Sequence, residues 1–234
     1  MLKQIQLNLF YFYKTSIKSI IYFWLVYIGV IGLLLIITTL SSGEMEFIGF
    51  NVIPSFIFTI IFSIFFFKDT FPFVIKYGTN RHSYLISFVL FTIIFAIMMT
   101  VLSLITTNLI GFITNFLEVD NFRFIGFHEG FVMPVSIFEV AVFEALLYGT
   151  LFFIFNSITV LFFRFGYLIG SICLTPFIGL FFFTSVTEKV IEIGKLFALG
   201  HDSYNIGAYF LLYAVFSVII WLLIRNVSVL DQTK

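Results

Sequence analysis

Few residues in this chain have the chemistry for a site. Glu139 and Glu144 stand at the start of an apolar run of 19 residues, 145–163. A carboxylate inside a membrane segment is costly and by default marks an ion or proton site. The same pair also fits the outer first turns of a helix opened by Pro134, where acids meet the positive end of the macrodipole. Two readings therefore stand: helix-terminal carboxylates, or an acidic outer vestibule that holds a cation. Other chemistry finds no support. Gly194-Lys195 is followed by Leu196 and lacks the upstream glycine of a P-loop. His82, His128 and His201 are scattered, with no H-E-x-x-H, and no G-x-S-x-G elbow occurs. The single cysteine, Cys173, excludes an internal disulfide framework and a thiolate metal cluster. No metal site, cofactor site or catalytic residue is expected, and the chain does not read as an enzyme.

A second group of residues suits docking. Residues 68–84 read KDTFPFVIKYGTNRHSY. Lys68, Lys76, Arg81 and His82 supply charge, and Pro72 can open a short helix at its first turn. Gly78 suits a left-handed stop. The pattern predicts one or two turns of helix between two apolar spans, with Phe71 and Phe73 as apolar anchors for a peripheral protein. The plain alternative is a basic loop that only sets topology.

The elements that position these residues follow from composition. Of 234 residues, 61% are hydrophobic and 10% charged, and the mean hydropathy is +1.15. Soluble domains carry about 25% charged residues, so this chain cannot cover a water-facing surface and reads as an integral membrane protein. Its formal net charge of zero excludes a nucleic-acid binder working by bulk electrostatics. A crossing needs about 20 apolar residues. Six runs qualify, at 20–40, 52–67, 83–107, 140–163, 165–186 and 204–224, the second being short at 16 residues. Continuous apolarity argues against an outer-membrane barrel. The expected fold is all-α, one transmembrane domain over 1–234, with no repeat of 20–50 residues.

Basic residues in short loops set orientation. With both ends in the cytoplasm, Lys3, Lys14, Lys18, Lys68, Lys76, Arg81, Arg164, Arg225 and Lys234 lie inside, and only Arg123, Lys189 and Lys195 outside. Asp69 and Asp231 lie inside and the other ten acids outside, so zero net charge splits into +7 within and −7 without. The N-terminal apolar run is too long for a signal peptide and has no A-x-A-like site after it. Residues 1–19 alternate apolar and polar groups near helical spacing, as an amphipathic helix along the interface would, its lysines meeting lipid headgroups; an ordinary basic lead-in to the first span fits as well. Residues 108–136 form a long outer loop, and 187–203 a broken amphipathic segment. Gly166 and Gly170 form a G-x-x-x-G suited to close helix approach, and Pro176 sits within the fifth span.

Taken in order, these pieces resemble the permease subunit of an ABC-2-type ABC transporter. The resemblance covers the whole chain and rests on layout: the amphipathic N-terminus, the segment Lys76-Tyr77-Gly78-Thr79-Asn80-Arg81 with its G-x-x-R element, the short turn between spans four and five, and the semi-apolar segment before span six. It implies a six-helix half-transporter of a bacterial plasma membrane, paired with a second copy or a homologous permease. Two separate ATPase subunits would dock beneath it, with Phe71, Phe73, Lys76, Tyr77, Gly78 and Arg81 forming the coupling segment. Members of that family export amphipathic or apolar cargo such as peptides, lipids or drugs. The rivals are a secondary transporter or channel using Glu139 and Glu144 for cations, and an intramembrane protease.

Overall fold

The computed structural model describes residues 1–41, 46–50, 52–119, 121–125, 136–180, 183–197 and 204–227. In chain order the elements are α1 (Leu2–Leu40), β1 (Phe47–Phe50), α2 (Val52–Lys76), α3 (Arg81–Phe116), β2 (Phe122–Ile125), α4 (Ile137–Leu180), α5 (Thr184–Lys195) and α6 (Ile206–Ile224). Five of the helices are long and apolar enough to cross a membrane. The molecule is thus an all-α multi-pass membrane protein with one small strand pair added.

The interfacial helix expected over 1–19 does not form a separate element. α1 is one uninterrupted helix of 39 residues, about 58 Å at 1.5 Å per residue. Its buried residues make a single stripe from Ile5 and Asn8 through Phe12, Ser16 and Ile20 to Leu35 and Thr38. The polar positions near its start therefore pack against protein. Gln4 Oε1 accepts from Ser83 Oγ at 3.0 Å, and Asn8 Nδ2 donates to Ser87 Oγ at 3.2 Å. Phe12 meets Phe91 with centroids 5.7 Å apart. All three pairs are separated by 79 positions, so α1 and α3 lie side by side and parallel. Farther along, Ile31 and Leu35 share a cleft with Ile110 and Ile113.

α2 and α4 run the opposite way and complete the core. Pro72 does not open a new helix; it lies inside α2, which continues to Lys76. That extension lengthens the short second span and replaces the expected separate coupling helix. α3 likewise runs on to Phe116 and takes up the first third of the expected 108–136 loop. β2 takes another part, while 126–135 lie outside the described residues.

The strands were not legible from the apolar pattern. β1 pairs with β2 in parallel, Phe47 opposite Phe122 and Phe50 opposite Ile125. Parallel strands need a long crossover, and the α2–α3 hairpin supplies it. Because α1 and α3 are parallel, the strands that follow them emerge side by side in the same direction. Helix–strand–helix thus occurs twice, as α1–β1–α2 and as α3–β2–α4. The two strands repeat at a spacing of 75 positions, Phe47 against Phe122, a period that a search over 20–50 residues misses.

α4 breaks at Gly166, whose φ of 77° and ψ of 170° lie in a region that essentially only glycine occupies. The chain folds back there, and a Cβ on Gly170 would stand 2.5 Å from a ring carbon of Phe162. So the two glycines do different work: one makes the turn, the other admits a neighbouring ring. Nothing lies within 4 Å of a Cβ on Gly166. Gly166→Ala is therefore expected to cost about 1–3 kcal/mol from backbone strain alone, read as a lower thermal midpoint in detergent with helix content unchanged. Cys173 is exposed on the second arm.

α6 runs in the same direction as α4. Tyr204 Oη donates to Glu139 O at 3.1 Å, Tyr213 Oη to Leu146 O at 2.6 Å, and Arg164 Nη1 to Leu222 O at 2.6 Å. The second arm of α4 and α5 must therefore return the chain along the bundle between them.

Candidate functional site

The end of the bundle holding the α2–α3 turn, here the base, gathers most of the residues expected to dock a partner. α2 stops in a Schellman arrangement. Gly78 takes φ +81°, its N–H donates to Ile75 O at 3.0 Å, and Thr79 N–H donates to Val74 O at 3.2 Å. Those bonds satisfy carbonyls that the helix end leaves open. Asn80 then starts α3, its Oδ1 accepting from His82 N at 3.2 Å, as an N-cap does.

The turn is held from both sides. Thr79 Oγ1 donates to Asn8 Oδ1 at 3.3 Å, tying it to α1. On the other side the Arg81 guanidinium donates to Arg225 O, and to Val227 O at 2.7 Å. His82 stacks on Trp221 with centroids 3.9 Å apart.

These contacts sort the expected docking residues. Phe71 is fully buried, stacked on Phe67 at 4.9 Å and edge-on to Tyr84 at 5.0 Å. It is a core residue and cannot meet a partner, which corrects its assignment. Phe73 lies two positions on, about 200° around the helix, and is exposed. It stacks on Tyr11 at 4.4 Å and meets Tyr77 at a tilt at 4.5 Å. Tyr77 is 75% exposed, beside an exposed Lys76. Gly78 shapes the turn, and Arg81 clamps α6. Tyr11 joins the ridge although its position on α1 gave no sign of it; only the parallel packing of α1 brings it there.

The two carboxylates separate. Five positions apart on one helix, they point about 140° away from each other. Glu139 is exposed and caps α4: Ser136 N and Oγ donate to its Oε2 at 2.8 and 2.9 Å, while Glu139 N donates to Ser136 Oγ at 3.3 Å. This is a capping box, and the helix-terminal reading holds for Glu139.

Glu144 is different. Only 3% exposed, it points into the bundle and hydrogen-bonds Ser103 of α3. Tyr148, one turn on, bonds the same Ser103 and lies 2.7 Å from Ser55 Oγ of α2. Tyr27 of α1, a neutral phenol, lies near Tyr148. Glu144 Oε2 itself has no hydrogen-bond partner. Thr100 Oγ1 and Trp24 Nε1, each one turn from a member of the cluster, are likewise buried without partners. Among the described residues, no three His, Cys, Asp or Glu side chains gather as a metal centre would require.

Comparison of the chain with protein-family models, curated proteins and solved structures finds no match.

Proposed function

We propose that this chain is the membrane-spanning permease subunit of an ATP-driven exporter, crossing the membrane six times with both ends in the cytoplasm. The crossings are α1, α2, α3, the first arm of α4, the run 165–186 that begins with its second arm, and α6. The observation that carries this reading is the construction of the base. Its turn exposes Phe73, Lys76 and Tyr77 while Asn8 and Arg81 bind it to α1, α3 and α6. A surface so tied passes force into several helices at once, as coupling to a separate ATPase requires. The role expected of a short coupling helix falls here to the end of α2 and the turn.

The base carries Lys3, Lys76, Arg81, Arg164 and Arg225, which suits contact with acidic groups on two ABC ATPase subunits. A second copy or a homologous permease completes the pathway, and the cargo is amphipathic or apolar. ATP chemistry belongs to the partner chain, because this sequence has no P-loop.

The test is co-purification with the P-loop ATPase of a neighbouring reading frame. A Lys76→Glu, Tyr77→Asp double variant removes one exposed aromatic anchor and reverses one charge. Truncating an aromatic hot spot costs 2 kcal/mol or more, so the recovered ATPase is expected to fall at least about tenfold, with the thermal midpoint of the permease unchanged. Undiminished recovery overturns the docking assignment, and an isolated gene with no such ATPase counts against the exporter.

A further inference from the structure

The permease reading leaves Glu144 without a task. It is the one acid among the described residues that the fold buries, and the groups around it are neutral. Ser55, Ser103, Tyr27 and Tyr148 come from four different helices, and Ser103 hydrogen-bonds the Glu144 carboxyl. Among the described residues, no lysine or arginine pairs with it. Its neighbour Glu139 faces outward and is consumed by its capping box.

An ionised carboxylate without a counter-charge in an apolar interior costs several kcal/mol. Such a carboxyl is relieved either by a proton or by a cation taken up from solution. The surrounding hydroxyl and phenol oxygens are hard donors, which suit hard cations and not soft ones. One carboxylate balances one positive charge, whereas calcium sites draw on several carboxylates. The unpartnered Oε2 is the free ligand atom.

The geometry points to a binding site for one small monovalent cation at Glu144, taken from solution as Na⁺ in competition with H⁺. Glu144 supplies the charge, Ser103 and Tyr148 hold the carboxylate and its neighbours in place, and Ser55 and Tyr27 extend the oxygen lining onto α2 and α1. Occupancy links all four core helices, so bound cation stabilises the bundle. This site is separate from the base and does not rest on the exporter reading.

The experiment uses the full chain, purified in detergent with no ATPase present. Dicyclohexylcarbodiimide modifies protonated carboxyls in apolar surroundings, and peptide mass locates the adduct. Modification is expected at Glu144 and not at Glu139. Replacing choline chloride by NaCl at constant ionic strength is expected to slow it at least about threefold and to raise the thermal midpoint with the logarithm of Na⁺ concentration, as a ligand that binds only the folded state does. Glu144→Gln should abolish the adduct and the Na⁺ effect together, while Glu139→Gln leaves both intact. Should Glu144→Gln fail to fold, Ser55→Ala and Tyr148→Phe keep the carboxylate and are expected to weaken the Na⁺ effect several-fold. Modification of Glu144 that ignores Na⁺ identifies a proton-only site and overturns the proposal. So does a Na⁺ effect that survives in Glu144→Gln, or an absence of modification. Failure here leaves ATPase co-purification untouched.

Discussion

Phe152→Ala is expected to destabilise the protein by about 3–5 kcal/mol, the range for emptying a buried aromatic position. Phe152 is fully buried, and its ring meets those of Phe62, Phe66, Phe88, Phe91 and Phe95 at centroid distances of 6.1, 5.3, 5.7, 6.2 and 4.9 Å. Those five rings come from α2 and α3, so one side chain of α4 ties three helices together. Inside a bilayer the hydrophobic effect does not hold helices together, because lipid tails are as apolar as the side chains. Close packing must do so, and a cavity forfeits dispersion contacts that nothing replaces. Phe152→Leu should recover part of the loss by filling part of the space. Phe112→Ala, at a position 71% exposed, should change little. Reversible unfolding in mixed micelles measures all three. A Phe152→Ala protein as stable as the parent would remove the aromatic cluster as the source of core stability.

Arg81→Ala should loosen the base at a cost of about 3 kcal/mol, since two hydrogen bonds from a charged group are each worth about 1.5–3 kcal/mol. The carbonyls of Arg225 and Val227 lie at and just beyond the end of α6, where a helix has no internal donors left for them. Arg81 reaches both because its guanidinium presents donors in a planar fork, which also places positive charge at the negative end of the α6 dipole. Lysine brings a single ammonium, so Arg81→Lys should fall between. The decisive measurement is amide exchange over 222–227. Faster exchange there, with the middle of α3 unchanged, is expected for Arg81→Ala. Unchanged exchange would mean that α6 holds its end without the clamp. The Tyr77 and Arg81 variants therefore differ in kind. Tyr77→Asp, within its double variant, should lose the partner and keep the fold, whereas Arg81→Ala should lose the partner only through the loosened turn.

Legibility differed from residue to residue. Gly78 was readable because stopping a helix is a local act, settled by one backbone conformation. Phe71 and Phe73 were not separable. Both are apolar, both sit in the same turn, and which of them faces inward depends on where α3 and α4 stand. Glu139 and Glu144 posed the same problem with carboxylates. A capping box four residues long is a local signal, and it accounts for Glu139. Glu144 gained its meaning only when Ser103 of α3 met it and Tyr148 tied the same serine to Ser55 of α2. The N-terminal alternation fitted a helix lying on lipid, yet Asn8 and Gln4 met serines of α3.

The amino-acid sequence by itself determined a multi-pass membrane chain, the approximate helical runs, the α2–α3 turn and the absence of a P-loop. Each of these depends on composition, length or a few neighbouring residues. The tertiary structure alone decided which face of each helix is inside, and with it the buried Glu144, the exposed Phe73–Tyr77 ridge and the parallel pairing of α1 with α3. In a water-soluble helix a polar face against an apolar one announces that choice. Here lipid and core are equally apolar, the contrast is missing, and the choice rests on shape and on a few hydrogen bonds between distant positions.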